Sequence, residues 1–348
     1  MFDLIYELPQ QIYDARKIAK QTMQKIQNYP VRFSNIANII IAGMGGSGIG
    51  GEILSSLLTY YSPIPTMIVK DYSLPSYVTK QSLFFAVSHS GNTEETLTAY
   101  QEAKKISCPV ICITSGGKLL EFATQHNDIV IKIPAHLPPR TAIGYLFIPF
   151  LIILFELGLL RSFDRDITET IQVLADRRSI YRVRARRLAK DLNEKIPFII
   201  STSRLLNPVA NRWRQEFNEL AKIVAHTSCL PEFSHNEIEG IGGPTSLKRL
   251  TYLLLLFDPN APERNKLRAN LTLTITKGNF FKARKFLPDG KSLLTHIFSL
   301  IMQGDLLSYY LARERKVDPL PVRRIDKLKE LMSKRRDKVL LNPKNSFF

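Results

Sequence analysis

The chain has 348 residues, 45% of them hydrophobic and 23% charged. That composition is globular, and the length suits about two domains. A net charge of +17 attracts anions, nucleic acid among them. The excess is clustered: Arg177, Arg178, Arg182, Arg184, Arg186, Arg187 and Lys190 fall in one expected helix, and Lys334, Arg335, Arg336 and Lys338 lie near the C-terminus. No recognition-helix module, zinc pattern or interleaved aromatic platform accompanies them, so they read as solvated helix faces and no specific nucleic acid is expected.

Cys108, Cys112 and Cys229 are too few for a disulfide framework and read as core thiols in a reducing compartment. The start, MFDLIYELPQQIYDARK, has no signal-peptide pattern, so a cytoplasmic protein is expected. The apolar run Ile143–Leu160 approaches membrane-span length, about 18 residues. It contains Pro149 and Glu156, and the expectation is a helix buried between domains or in a subunit interface, not a membrane span.

In chain order, residues 1–30 carry a helical stripe of Leu4, Ile5, Leu8, Ile12, Ala15 and Ile18, interrupted at Pro9. Strands are expected at 38–42, 66–70, 83–87, 109–114 and 128–133, alternating with helices. Alternation of this kind implies right-handed crossovers and a parallel sheet covered on both faces. Helices follow through about 143–192. A second unit opens with a strand at 197–202 and a helix whose buried stripe is Trp213, Phe217, Leu220 and Val224. Further strands are expected at Leu250–Phe257 and Leu271–Thr276, and helices at 292–312 and 321–333.

The first turn, Gly43-Met44-Gly45-Gly46-Ser47-Gly48, follows a strand and opens a helix. Glycines let the backbone approach a ligand, and the free N–H groups of the first helical turn point at it. This fits a dinucleotide fingerprint about as well as a phosphate loop, and Asp71 stands where an acid would bind a ribose. The second turn, Ser88-His89-Ser90-Gly91-Asn92-Thr93, shifts the balance. It too links strand to helix, Thr93 suits an N-cap, and its hydroxyls supply donors for phosphate oxygens without a lysine. In a parallel sheet both loops leave the carboxyl ends of strands and converge on one crevice.

GMGGSGIGGE and SHSGNTEET together resemble the sugar isomerase (SIS) domain. With PPRTAIG, Glu219-Leu220-Ala221-Lys222, PEFSHNEIEG and GDLLSYYLARERKVDPLPVRRIDKLK, the chain resembles the bifunctional phosphoglucose/phosphomannose isomerases over about residues 35–330. The resemblance implies an α/β fold of two SIS domains, each a parallel sheet flanked by helices, in a homodimer. It also implies aldose–ketose isomerisation of hexose 6-phosphates through a cis-enediol, without a cofactor. The corresponding domains are 1–145, connecting helices 146–195, a second SIS domain 196–330 and a basic tail 331–348.

Residue by residue, the resemblance assigns phosphate binding to Ser47, Ser88, Ser90 and Thr93, and places Gly45 and Gly46 beside the sugar. It puts Arg140 near the reacting carbons, where a fixed cation would stabilise an enediolate. It makes Glu219 the base that shuttles the proton between C1 and C2; from spacing alone Glu216 competes. His235 and Lys329 are assigned to ring opening, with His235 reaching in from the neighbouring subunit. Leu220 replaces the family's asparagine, and Phe233-Ser234 replaces the commoner Leu-Asn. His89, where tyrosine is common, is read as a lining residue.

No metal is expected, because the six histidines are scattered. No Walker lysine follows the first loop, which argues against a nucleotide phosphotransferase. Two rivals remain open at the level of sequence: a noncatalytic sugar-phosphate sensor built on the same loops, and a dinucleotide-dependent oxidoreductase.

Overall fold

The computed structural model describes residues 1–24 and 35–340. The expected first helix is two helices, α1 (Phe2–Tyr6) and α2 (Leu8–Gln24); residues 25–30 of that expectation lie outside the described residues. Pro9 is the second residue of α2, where its missing N–H leaves no intrahelical bond unmade.

The first unit then runs β1 (Asn38–Ala42), α3 (Gly45–Leu58), β2 (Thr66–Val69), β3 (Ser82–Ser88), α4 (Glu94–Ile106), β4 (Val110–Thr114), α5 (Gly117–Gln125) and β5 (Ile129–Lys132). All pairings are parallel, in the order β2-β1-β3-β4-β5. Strand order reverses between β1 and β3, so the loops leaving their carboxyl ends border one crevice. Alternation along β3 divides the core. Leu83, Phe85 and Val87 face a core shared with the second unit, while Phe84 and Ala86 pack with Tyr100 of α4 and Leu119 of α5.

Two helices connect the units, α6 (Ile143–Glu156) and α7 (Asp164–Leu192). Every residue from Ile143 to Leu154 is buried. Phe150 meets Phe85 of β3 edge-on at 5.0 Å, and Phe147 meets Phe298 of the second unit at 5.4 Å. The apolar run is therefore a helix held between the units, as expected. Among the described residues no helix is long and apolar enough to cross a membrane.

The second unit comprises β6 (Ile196–Ser201), α8 (Asn207–Glu219), β7 (His226–Cys229), α9 (Leu247–Leu250), β8 (Thr251–Leu256), α10 (Glu263–Ile275), β9 (Lys282–Phe286), α11 (Leu293–Glu314) and α12 (Arg323–Leu340). Its sheet is parallel, in the order β7-β6-β8-β9.

Two expectations fail here. Leu271–Thr276 is not a strand; it lies in α10 and at its C-cap. Parallel β8 and β9 need a crossover between them, and α10 supplies it. The helix buries Ala269 and Thr272 and leaves Leu271 and Ile275 exposed, so the apolar alternation there was no guide to the core. Val224 is not on a buried stripe. Helix α8 stops at Glu219, the chain turns through Lys222 at φ +55°, and Val224 is 75% exposed. Trp213, Phe217 and Leu220 are buried as expected.

Candidate active site

The site is built where the carboxyl ends of β1 and β3 meet the start of the connecting helices. Ser47 sits in the first turn of α3, and the backbone N–H of His89 donates to its Oγ at 3.1 Å. The two hydroxyl loops are thus joined by a direct bond. Within the second loop, Ser88 Oγ and Thr93 Oγ1 lie 2.9 Å apart, the Gly91 N–H donates to Ser88 Oγ at 3.1 Å, and the Asn92 N–H donates to Ser90 Oγ at 3.2 Å. Thr93 holds the N-cap position of α4 as expected, but its hydroxyl turns to Ser88 and makes no cap bond. The free N–H groups of α3 and α4 therefore open beside clustered hydroxyls, a cradle for an anion. His89 is buried; burial pushes its pKa down, with the Pro134 carbonyl opposing, and its Nε2 has no partner.

Gly45, at φ +50°, begins α3 in the left-handed region. A Cβ on Gly46 would stand 2.9 Å from the Pro139 carbonyl oxygen and 3.2 Å from the Arg140 nitrogen. The first loop can press against the 3-10 turn Pro139–Thr141 only because residue 46 has no side chain. That contact sets Arg140 beside the cradle.

Arg140 is only 7% exposed. Its Nη1 lies 3.7 Å from Glu219 Oε2, an ion pair between the first unit and the last residue of α8. Its Nη2 donates to the carbonyls of Pro319, at 3.1 Å, and Leu320. Lys222 donates to the Glu219 carbonyl and, at 2.7 Å, to the Pro321 carbonyl. Burial, and next the charge of Arg140, push the Lys222 pKa down. The segment 319–321 is thereby strapped over the Arg140–Glu219 pair.

Beneath the pair is a buried charge cluster. Arg212 grips Asp305 of α11 with Nε at 3.0 Å and Nη2 at 2.7 Å, lies 3.3 Å from Glu216 and donates to the Arg140 carbonyl at 2.8 Å. Burial pushes the Glu216 carboxyl well above the usual carboxylate range, against the pull of Arg212 and with the charges of Asp305 and Glu219 adding to the rise. Burial also raises Asp305. Glu216 is therefore part of the support, and Glu219 is the carboxylate that pairs with the Arg140 guanidinium.

The structure thus brings together Gly45, Gly46, Ser47, Ser88, Ser90, Thr93, Arg140 and Glu219. His235, in the 3-10 turn Glu232–His235, is exposed and has no hydrogen bond or ion pair to Arg140 or Glu219. Lys329, on α12, is likewise exposed and unconnected to them. Sequence reasoning missed the 319–321 carbonyls, which have no side-chain signature, and the Arg212–Asp305 pair, whose signal was a lone acid in the apolar run of α11. Among the described residues no group of three His, Cys, Asp or Glu side chains is gathered for a metal ion.

Residues 32–142 match the SIS domain model, and residues 182–332 match the bacterial phospho-glucose isomerase C-terminal SIS domain model. The chain is 39% identical over 344 residues to a bifunctional phosphoglucose/phosphomannose isomerase of Caldicellulosiruptor bescii, covering 97% of this chain and 100% of that one. It is 38% identical to the protein of the same name from Thermoplasma acidophilum, covering 87% and 92%. Its fold is similar to that of the C-terminal domain of glucosamine-fructose-6-phosphate aminotransferase from Francisella tularensis, with a TM-score of 0.70 at 18% identity over 91% of this chain and 97% of that one. Two parallel sheets, two matching SIS models and relatives of this similarity agree: the chain belongs to the bifunctional phosphoglucose/phosphomannose isomerase family.

Proposed function

We propose that this protein interconverts glucose 6-phosphate and mannose 6-phosphate with fructose 6-phosphate. The observation that carries the reading is the Arg140–Glu219 pair, 3.7 Å apart beside a cradle of hydroxyls and helix N-termini. The phosphate is held by Ser47, Ser88, Ser90 and Thr93 with the N–H groups of α3 and α4. Gly45 and Gly46 let the sugar approach the backbone. Glu219 takes the proton from C2 of the aldose and returns it to C1, or the reverse. Charge that develops on the enediolate oxygen meets the Arg140 guanidinium. C1 is reduced as C2 is oxidised, so the electrons balance within the substrate and no external carrier takes part.

His235 and Lys329 open the sugar ring. His235 lies at the edge of the second sheet, apart from its own chain's pair, which supports its donation to the active site of the neighbouring subunit in a homodimer. The protein acts in the cytoplasm on a soluble sugar phosphate. A coupled assay with glucose 6-phosphate and with mannose 6-phosphate, EDTA present, tests the reading: fructose 6-phosphate is expected from both. Failure on both substrates overturns it.

A further inference from the structure

A cavity of about 450 Å³ lies on the other side of α11 from the catalytic pair. Its walls come from α7, β8, β9 and α11. Gln303 of α11 lines it, while Asp305, two residues on, holds Arg212 under the active site. Two residues along a helix are turned about 200° apart, so the helix body, about 10 Å thick, separates the two places.

The cavity has an apolar floor and a cationic rim. Ala185, Leu188, Phe286 and Leu307 form the floor, and Arg184, Arg187 and Arg284 line the rim. None of these three arginines forms an ion pair with a described residue, whereas Asp191, which also lines the cavity, is bridged to Lys282 at 3.0 Å, and Asp289 nearby to Arg177 at 3.3 Å. Each of these two acids has its own cation, so the cavity wall carries three guanidinium groups without a direct ion pair against one carboxylate already bridged outward to Lys282. Lys285, also at the cavity wall, aims its ammonium 3.4 Å from the centre of the Phe257 ring and does not add to the rim.

We propose that this cavity is a second ligand site, for a small phosphorylated molecule of nucleoside-phosphate size. Arginine forks fit phosphate oxygens in pairs, and three of them match a multiply charged phosphate group. The apolar floor takes the organic body, and the volume lies in the range of small-molecule sites.

The test is calorimetric titration of ADP into full-length protein carrying Ser47→Ala and Ser88→Ala, which weaken the phosphate cradle of the active site. ADP is expected to bind this protein at one site. Adding Arg184→Gln and Arg284→Gln should weaken that binding by at least about tenfold, as loss of charged hydrogen bonds requires. Adding Arg186→Gln instead, on the same helix but outside the cavity, should leave it unchanged. Absence of ADP binding to the parent overturns the proposal. So does equal weakening by Arg186→Gln, which would mean general attraction to a basic surface, or no weakening by Arg184→Gln with Arg284→Gln. Unchanged melting temperatures without ADP exclude misfolding as the cause of lost binding.

Discussion

The Arg212 guanidinium donates to the Arg140 backbone carbonyl at 2.8 Å, tying α8 of the second unit to the 3-10 turn of the first. The same guanidinium is fixed by Asp305, so the position of Arg140 depends on a buried ion pair. Arg212→Met leaves Asp305 an uncompensated buried charge and should cost about 3–5 kcal/mol in denaturant unfolding. Arg212→Met with Asp305→Leu should recover much of that stability but little of kcat, because the Arg140 carbonyl is still untethered. Recovery of both would remove positioning from the account.

Glu219 and Glu216 lie three residues apart on one helix, yet one pairs with Arg140 and the other is buried against Arg212. Glu219→Gln should lower isomerase turnover by about 100- to 10,000-fold, the usual contribution of a general base. Fructose 6-phosphate binding, measured by calorimetry, should be nearly unchanged. Glu216→Gln should keep most of its turnover; a reversal of the two results would exchange their roles.

Gly46→Ala forces a methyl group against the Pro139 carbonyl. The 3-10 turn must move, and with it Arg140. A displacement on the order of 1 Å at a reacting group costs about 100-fold in rate. We expect kcat/KM to fall by about that factor while the far-ultraviolet circular dichroism stays that of the parent.

If His235 serves the neighbouring subunit, two inactive variants can repair each other. Glu219→Gln and His235→Ala proteins, each nearly inactive alone, should regain activity when co-expressed and purified as a mixed dimer. In such a dimer one of the two sites has both native groups. No gain in a verified mixed dimer would place His235 in its own chain's site or outside the reaction.

The raised pKa of Glu216 sets a pH dependence. A carboxyl that holds its proton more tightly when folded makes the folded chain bind more protons than the unfolded one above its ordinary value of 4.5. Stability from this group is thus full at low pH and falls as pH rises from that value to the raised one. Glu216→Gln removes the titration, so its melting temperature relative to the parent should climb across that window. A constant difference would mean Glu216 is ionised throughout.

The first unit was readable because its strands are continuous apolar runs closed by glycine or hydroxyl turns, as in Leu83–Val87 before Ser88. The second unit was harder. Edge strand β9 reads KARKF, with charges that keep an open edge from pairing with other chains, so no apolar run announced it. The strand expected at Leu271–Thr276 rests on apolar letters that belong instead to the crossover helix α10 and its C-cap. The cradle followed from local glycine and hydroxyl spacing. Arg140 and Glu219 did not, since nothing local says that two residues so far apart in the chain meet; only the family resemblance paired them. The 319–321 strap acts through backbone carbonyls, which every sequence has everywhere.

That strap orders the appearance of activity as the chain is synthesised. Domains fold as units, the N-terminal one first, while the ribosome is still adding residues. The glycine and serine loops belong wholly to the first unit, so all the residues of the anion cradle are made before those of the second unit. Arg140 has by then met neither Glu219 nor the carbonyls of residues 319–321. Under the proposed function, a growing polypeptide would therefore carry its anion cradle before its catalytic pair, and turnover would wait until residues 319–321 have been added.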